Sequence, residues 1–458
     1  MSWIIAAMSA VLLAFIVLHL RIRSHPALSY RQIALRALST QWPEIITEIR
    51  RRERLAAWHK TSPSAGQQRV WGYVDRHSID PGGSFRLMLS AMPGTTRLSG
   101  RVEIYRVGYE SDGDRRLVWR SDSIEVSAYR ARRAGRNSML LDQAAAALGP
   151  AWPPLVTISQ TDGWETGYYS VDFVCADSWR DADIAFIVVT DPRRTGDVLV
   201  KLSTATYQAY NRWGGHSLYD DDDDPLQARG SMVSFDRPTR SEFWEWEYYF
   251  VLWIEKLARE EGFTVSYATN FDVATKEAFT SKYKLFVSVG HDEYWSKEEF
   301  DRTYERIFSL GGNTLFLGAN TAYWRVRYVD VNDPLQKQGR QMVCYKSAED
   351  PVHLPEGVDR ELHLTRRFRD AARTPESMLM GVAYQSNLKD RYQVDPGYAY
   401  YVQRTDLPFF AGTGYKKGDC VGEIVGHEWD NRDPEADYAP PGESVVENAG
   451  RLWREGVS

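Results

Sequence analysis

A change of hydrophobic period near residue 191 constrains this chain's fold more than any other feature of it. Between Val70 and about Pro192 apolar and polar residues alternate. Phe85, Leu87 and Leu89 do so after Pro81-Gly82-Gly83, and Val102, Ile104 and Arg106 fall opposite Tyr105, Val107 and Tyr109. Tyr168, Ser170, Asp172 and Val174 interleave with Tyr169, Val171, Phe173 and Cys175, and 185–190 closes the region. Successive side chains of a strand point to opposite faces, so period two with Gly, Pro and Asp punctuation specifies short antiparallel strands. The expectation is a β-sandwich over residues 67–193. Beyond Asp191 the apolar runs become continuous at 198–200, 264–267, 285–289 and 314–317, and helical stretches at 241–262 and 296–310 separate them. That alternation specifies an α/β layer with a largely parallel sheet over residues 194–458.

Within that layer the run ending at Val289 stops at Gly290, and His291, Asp292 and Glu293 follow at once. Ser296 with Glu299 reads as a capping box opening a helix. Open α/β sheets present their chemistry at the carboxyl ends of strands, where His291 supplies a base and Glu293 a hard anionic oxygen. The plainer reading is that Asp292 and Glu293 complement a helix N-terminus, an effect of ~0.3–1 kcal/mol. Two further segments belong at the same edge. Residues 203–219 follow a strand and are rich in aromatics, amides and paired glycines, and residues 243–250 open the first long helix.

Residues 1–22 read as a transmembrane anchor. Trp3 to Leu20 is apolar apart from Ser9 and His19, and as a helix it reaches roughly 27 Å, enough for a bilayer core. The basic residues come after the run and Leu18-His19-Leu20-Arg21 offers no cleavage site, unlike a secretory signal. The positive-inside rule then puts Arg21, Arg23 and the soluble part in the cytoplasm. Residues 23–66 read as a basic juxtamembrane helical segment, lying on anionic lipid or serving as a spacer, ending in the linker Ser62-Pro63-Ser64-Ala65-Gly66. Three cysteines without a CxxC pair fit a reducing compartment. A formal charge of −6 gives no reason to expect nucleic acid as a partner. There is no HExxH, GxSxG or phosphate-cradling glycine loop, which argues against zincin, serine-hydrolase and P-loop chemistry. Asp220 to Asp224 reads as a solvated acidic loop. Arg237 and Arg325 either pair with acids in the core or bind an anion.

Four segments occur in order: Tyr207-Gln-Ala-Tyr-Asn-Arg-Trp-Gly-Gly-His-Ser-Leu-Tyr219, Ser234-Phe-Asp-Arg-Pro238, Gly290-His-Asp-Glu-Tyr-Trp-Ser296 and Gly318-Ala-Asn-Thr-Ala-Tyr-Trp-Arg325. With Trp164-Glu-Thr-Gly-Tyr168 before them, they resemble the large (β) subunit of N,N-dimethylformamidase and its wider family over about residues 70–440. The resemblance implies a β-sandwich on a glutamine-amidotransferase-like α/β domain lacking the usual cysteine nucleophile. It also implies a mononuclear ferric iron, Fe(III), held by two tyrosinates and one glutamate. Carried over by motif, the ligands are Tyr210, Tyr248 and Glu293, with His291 beside the metal and Glu428 as a second acid/base. This chain departs from the family pattern at Tyr207, where Trp is usual, and at His427, where Tyr is common; Tyr249 adjoins Tyr248.

Three hard oxygens suit Fe(III) and leave positions for water and a carbonyl oxygen. Such an ion acidifies its water and polarises an amide, while His291 or Glu428 moves the proton that the leaving amine requires. The implied function is a metal-dependent hydrolase of C–N amide bonds acting on a small amide-bearing substrate, with homo-oligomerisation as the expected self-association. Dimethylformamide itself fits poorly, since its amidase pairs large with small subunits and needs no anchor. Read as residues alone, Tyr210 and Tyr248 are also consistent with packing aromatics whose hydroxyls stay wet. The rival is a non-catalytic, membrane-anchored module that stacks a carbohydrate or envelope component on Trp164, Trp213, Trp295 and Trp324. Glycoside hydrolysis by Glu293 and Glu428 would require suitably spaced carboxyls.

Overall fold

The computed structural model describes residues 68–92, 94–95, 97–110, 113–129, 146–219, 229–239, 241–276, 279–331, 338–346, 348–352, 356–370, 374–387, 400–406, 410–421, 428–431 and 446–448. The expected anchor and basic segment lie outside them, as does the acidic run Asp220 to Asp224. Among the described residues no helix is long and apolar enough to cross a membrane.

The period-two region forms nine strands: β1 (Val70–Val74), β2 (Ser78–Ile79), β3 (Phe85–Ala91), β4 (Arg97–Glu110), β5 (Gly113–Arg120), β6 (Ile124–Ser127), β7 (Pro154–Ile158), β8 (Gly167–Cys175) and β9 (Arg180–Val189). One sheet has the order β1-β3-β7; the other runs β2-β9-β8-β4-β5, with β6 also on β4. Pairing is antiparallel except for β2 on β9. The apolar set of the alternation (Phe85, Leu87, Leu89, Val102, Ile104, Tyr169, Val171, Phe173) closes the core between the two sheets. The β-sandwich is therefore present, and its opposite face departs from the usual solvated pattern. At one end of that face Val107, Tyr168 and Val188 pack into a second core shared with the α/β layer. At the other, the buried carboxylates of Glu103 and Asp172 take guanidinium groups: Arg180 at 2.8 and 2.9 Å, Arg120 on Glu103 at 3.0 Å and Arg115 on Asp172 at 2.8 Å.

The α/β layer follows as β10 (Gly196–Leu202), α1 (Thr204–Tyr210), β11 (Met232–Ser234), α2 (Phe243–Trp246), α3 (Tyr248–Glu261), β12 (Val265–Thr269), α4 (Asn270–Thr275), β13 (Tyr283–Val289), β14 (Tyr294–Ser296), α5 (Lys297–Tyr304), β15 (Asn313–Leu317), β16 (Trp324–Val329) and β17 (Gln341–Val343). Its main sheet is parallel with order β12-β10-β13-β15. Because β10 lies between β12 and β13, the chain leaves β10 in one direction and later returns on its other side. The carboxyl ends of β10 and β13 therefore flank a topological switch point, where open α/β sheets bind ligands. A second sheet, β11-β17-β16-β14, lies alongside. Towards the C-terminus β18 (Ala383–Asn387) pairs with β21 (Glu428–Asn431), and β19 (Tyr400–Val402) pairs with β20 (Cys420–Val421) and β22 (Val446–Asn448).

Three local expectations are corrected. The single helix expected over 241–262 breaks at Glu247, whose carboxylate turns inward to accept from the Ser203 N–H and the Tyr207 hydroxyl. The connector expected after β10 is a helix for its first half, with every residue of Thr204–Ala209 buried. The capping box at Ser296 is half formed: Ser296 Oγ accepts from the Glu299 N–H, but the Glu299 carboxylate goes to Lys201 and Asn270 instead. The short strand β14 also separates Glu293 from α5, so Asp292 and Glu293 do not cap a helix.

Glu255 on α3 ties the helix to the sandwich. It takes Arg106 of β4 through two contacts at 2.8 and 3.2 Å, and it accepts from the Tyr109 N–H and the Tyr267 hydroxyl, each at 2.8 Å. Removing one member of a buried ion pair strands the other charge, a loss of about 3–5 kcal/mol. Glu255→Ala and Arg106→Ala are each expected to lower the denaturant midpoint by less than that equivalent, since Arg106 keeps Glu110 at 3.5 Å and Glu165 at 3.6 Å while Glu255 keeps two other donors. Equilibrium unfolding of both variants measures the difference.

Candidate active site at the switch point of the parallel sheet

Three side chains meet where β10 and β13 diverge. Tyr210, at the C-terminal end of α1, donates its hydroxyl to Glu293 Oε2 at 2.7 Å. His291 Nε2 stands 3.5 Å from the same oxygen, and the Tyr210 and His291 rings lie 5.2 Å apart. The turn carrying Glu293 is stitched to α1 from both sides. Thr206 Oγ1 accepts from the N–H groups of Glu293 (3.1 Å) and Tyr294 (3.3 Å), and Ser203 Oγ donates to the Val289 carbonyl at 3.0 Å.

Gly290 begins this turn at φ 81°, and a Cβ there would sit 2.9 Å from the Glu247 carboxyl carbon. Only glycine meets both demands. The following loop, Gly318 to Arg325, closes on the turn: a Cβ on Gly318 would come within 2.2 Å of the Gly290 carbonyl oxygen. The N–H groups of Ala322 and Trp324 donate to the carbonyls of Asp292 and Glu293, each at 3.0 Å.

Aromatic rings wall the centre. Tyr219 stacks on Tyr210 at 4.8 Å, Tyr294 meets it edge-on at 6.2 Å, and Trp246 lies 5.8 Å from His291. Lys346, a non-glycine residue at φ 52°, holds its ammonium over the rings of Trp324 (4.5 Å), Tyr219 (4.7 Å) and Tyr294 (5.4 Å). Burial, and then the Glu293 carboxylate, push the Tyr210 hydroxyl well above its ordinary range.

Two acids behind His291 escape notice in the sequence. Glu242 Oε2 lies 3.7 Å from His291 Nδ1. Glu247, wholly buried against Gly290, is pushed up to about 8, chiefly by burial, with the Glu242 charge adding to the rise against the hydrogen bonds from Tyr207 and Ser203. Glu247 belongs to the singled-out segment 243–250, and Glu242 immediately precedes it. An acid near a helix N-terminus reads as a dipole complement, and only the inward turn at Glu247 reveals another use.

The structure brings Tyr210, His291 and Glu293 together. Tyr248 is elsewhere: its ring packs on Trp244 and Tyr249, and its hydroxyl donates to Asp114 on the sandwich. The backbone of Glu428 lies on β21 opposite Asn387, and its side chain lies outside the described residues. On the same strand Asp430 accepts from the Asn320 N–H at 2.8 Å, so β21 abuts the loop that covers the site. Arg237 is wholly buried and donates to the carbonyls of Gln208, Trp213, His216 and Ser234. It thereby fixes the segment after α1 and, among the described residues, pairs with no acid. Arg325 similarly serves the carbonyls of Glu361 and Leu364. Cys344 is buried and its thiol is pushed up to about 11 by that burial, which leaves no thiolate nucleophile there.

Residues 101–455 match the family described as N,N-dimethylformamidase beta subunit-like, C-terminal. The chain belongs to this family. The match spans β5 to β9 of the sandwich and the stretch that carries Tyr210, His291 and Glu293, and it leaves β1 to β3 outside. No curated protein matches the chain. Among solved structures, a cycloisomaltooligosaccharide glucanotransferase from Paenibacillus sp., complexed with cycloisomaltoheptaose, is 10% identical over 61% of this chain and 34% of its own, with a TM-score of 0.16. This chain thus spans about a third of that protein, and a likeness of that size carries no argument.

Glu247 gives the site a stability signature. Its folded value of about 8 lies above the ordinary 4.5, so the folded state holds a proton that the unfolded chain releases. The stabilisation is complete below pH 4.5 and is lost as pH rises through about 8. Glu247→Gln, which keeps the shape and cannot ionise, is expected to match the parent near pH 5 and to melt at a higher temperature at pH 9. Thermal unfolding at the two pH values measures it.

Proposed function

We infer that the protein is a metal-assisted hydrolase of a C–N amide bond in a small substrate, as its family membership suggests. The observation that carries this reading is the 2.7 Å contact of Tyr210 with Glu293 at the switch point, with His291 Nε2 beside it. Two hard oxygens at one centre fit part of what Fe(III) demands. The third oxygen expected of the family does not fit, because Tyr248 is committed to Asp114. Among the described residues no three His, Cys, Asp or Glu side chains gather as a metal site, so the tyrosine hydroxyl is essential to the fit. Tyr210 and Glu293 would hold the ion, which supplies Lewis acidity and an acidified water when bound.

The chain's own groups do the remainder. His291 moves a proton at Nε2 toward the leaving amine, and Tyr219, Tyr294 and Trp246 line the centre. Glu428 remains the candidate for a second acid/base. We read the α/β layer as glutamine-amidotransferase-like; its parallel strand order supports that reading. The single-pass anchor, with its soluble part in the cytoplasm, rests on the apolar run 3–20 and the basic residues after it. The carbohydrate-stacking alternative loses two of its four platforms, since Trp164 and Trp295 are buried in hydrophobic cores.

Metal analysis and a visible spectrum of the full chain test the reading. Near-stoichiometric iron with a broad tyrosinate band is expected. Tyr210→Phe should lose the band, Glu293→Ala the metal, and Tyr248→Phe neither. A colourless, iron-free chain that stays so after anaerobic reconstitution and cleaves no amide would overturn it.

A further inference from the structure

We propose that a cavity between the sandwich and α1 is a binding site for one small monovalent inorganic anion of the chloride kind, held by Arg237, Arg340 and Thr239. Its walls come from β1 and the turn after it, from β9, from α1 through Thr204 and Gln208, and from Phe235, Arg237, Thr239 and Arg340. None of Tyr210, His291 and Glu293 lines it, and the inference does not rest on the amide-hydrolysis reading. The cavity volume of about 30 Å³ exceeds the ~10–15 Å³ that one water needs. That leaves room for a monatomic anion and not for an organic ligand.

The walls carry donors without acceptors and positive charge without enough acid. The Arg340 side chain is 9% exposed. Its Nε and Nη2 donate to Asp236 at 3.0 and 2.8 Å, and Nη2 also reaches the Val74 carbonyl at 2.9 Å. Nη1 is left sealed from solvent with no hydrogen-bond partner, and Thr239 Oγ1 is in the same state. Buried polar atoms rarely stay so without a reason. Arg237 spends its hydrogens on the carbonyls of Gln208, Trp213, His216 and Ser234 and on the Gln208 side-chain oxygen. Neutral acceptors satisfy those hydrogens and leave the charge standing, and a guanidinium does not deprotonate in a protein. Burial alone pushes Arg237 down to about 9, a sign of how isolated that charge is. Arg76, exposed on the same wall, has no acid partner among the described residues, and the neighbouring Asp75 is taken by Arg86 at 2.8 Å. His77 adds no charge, since burial and then the Arg340 charge push it well below its ordinary range. Three guanidinium groups therefore line the cavity against the one carboxylate of Asp236. Water would answer the loose N–H and hydroxyl groups but not the charge, and an unpaired buried charge is costly. A small anion answers both through charge-assisted hydrogen bonds.

The test follows thermal unfolding of the full chain while sodium chloride replaces sodium gluconate at constant ionic strength, with 35Cl NMR linewidths read alongside. A ligand that binds only the folded state raises the melting temperature by mass action, so the parent is expected to melt higher as chloride rises. Thr239→Val keeps the side-chain shape and deletes one donor. It should raise the chloride concentration needed for a given shift by roughly tenfold, the worth of one hydrogen bond to a charged group. Arg76→Gln changes an exposed residue, so it should melt like the parent in gluconate and need more chloride by a smaller factor. Glu293→Ala should respond to chloride as the parent does, which keeps this site distinct from any anion taken up at the candidate metal centre. A parent whose melting temperature does not rise with chloride and whose 35Cl line is not broadened would overturn the proposal. So would a response that Thr239→Val and Arg76→Gln both retain in full, or one that Glu293→Ala abolishes, because the anion would then bind elsewhere.

Discussion

One buried ammonium sets the geometry on which the candidate site depends. Lys201, the penultimate residue of β10, has no solvent exposure; it contacts Asp292 at 2.6 Å and Glu299, and lies 3.3 Å from the centre of the Trp295 ring. Asn270 donates to both acids, at 3.2 and 2.9 Å, and Ser288 donates to Asp292 at 2.5 Å. Burial, opposed by Lys201 and reinforced by Asp292 beside it, pushes Glu299 up to about 7. An unpaired charge in such a place is expensive. The cluster therefore tolerates a single arrangement of the four segments that supply it. Tyr210 lies one helix beyond Lys201, and Glu293 is the residue after Asp292, so the register of that candidate pair is inherited from this contact.

The layers around the cluster follow from the same economy of polar groups. Arg237 satisfies the carbonyls at the end of α1 and in the loop after it, where a helix C-terminus leaves acceptors without partners. Arg106 with Glu255, and Tyr248 with Asp114, join the sandwich to the helix that covers the parallel sheet. The aromatic residues that make the sequence conspicuous are divided between these tasks: Trp164 and Trp295 fill cores, while Tyr210, Tyr219, Tyr294 and Trp246 enclose the site.

Much of this was legible in the sequence. The switch from period two to continuous apolar runs separates sandwich from parallel sheet because the number of buried faces determines the pattern. The loop after Val289 stood out because glycine followed by three polar residues at a strand end has few structural uses. Tyr248 was less legible. Its placement depends on the break at Glu247, which resets the helical phase and turns the residue toward β5, and nothing local in Trp244-Glu-Trp-Glu-Tyr-Tyr249 announces a break. Lys201 was not legible at all, because one strand lysine gives no sign of an acid 98 residues away. Glu242 and Glu247 were masked by the ordinary preference for acids at helix starts.

Strand β8 has no solvent face: all nine of its residues are buried, one side against the first sheet and the other against the α/β layer and the arginine lattice. A sheet in that position belongs to both halves of the molecule. Its amide protons can reach solvent only through an opening that dismantles both cores, so slow exchange is expected on this strand, away from Tyr210, His291 and Glu293. The sandwich is accordingly no detachable module. Transplanted alone it would expose Val107, Tyr168 and Val188, and the α/β layer without it would lose the wall against which its helices fold.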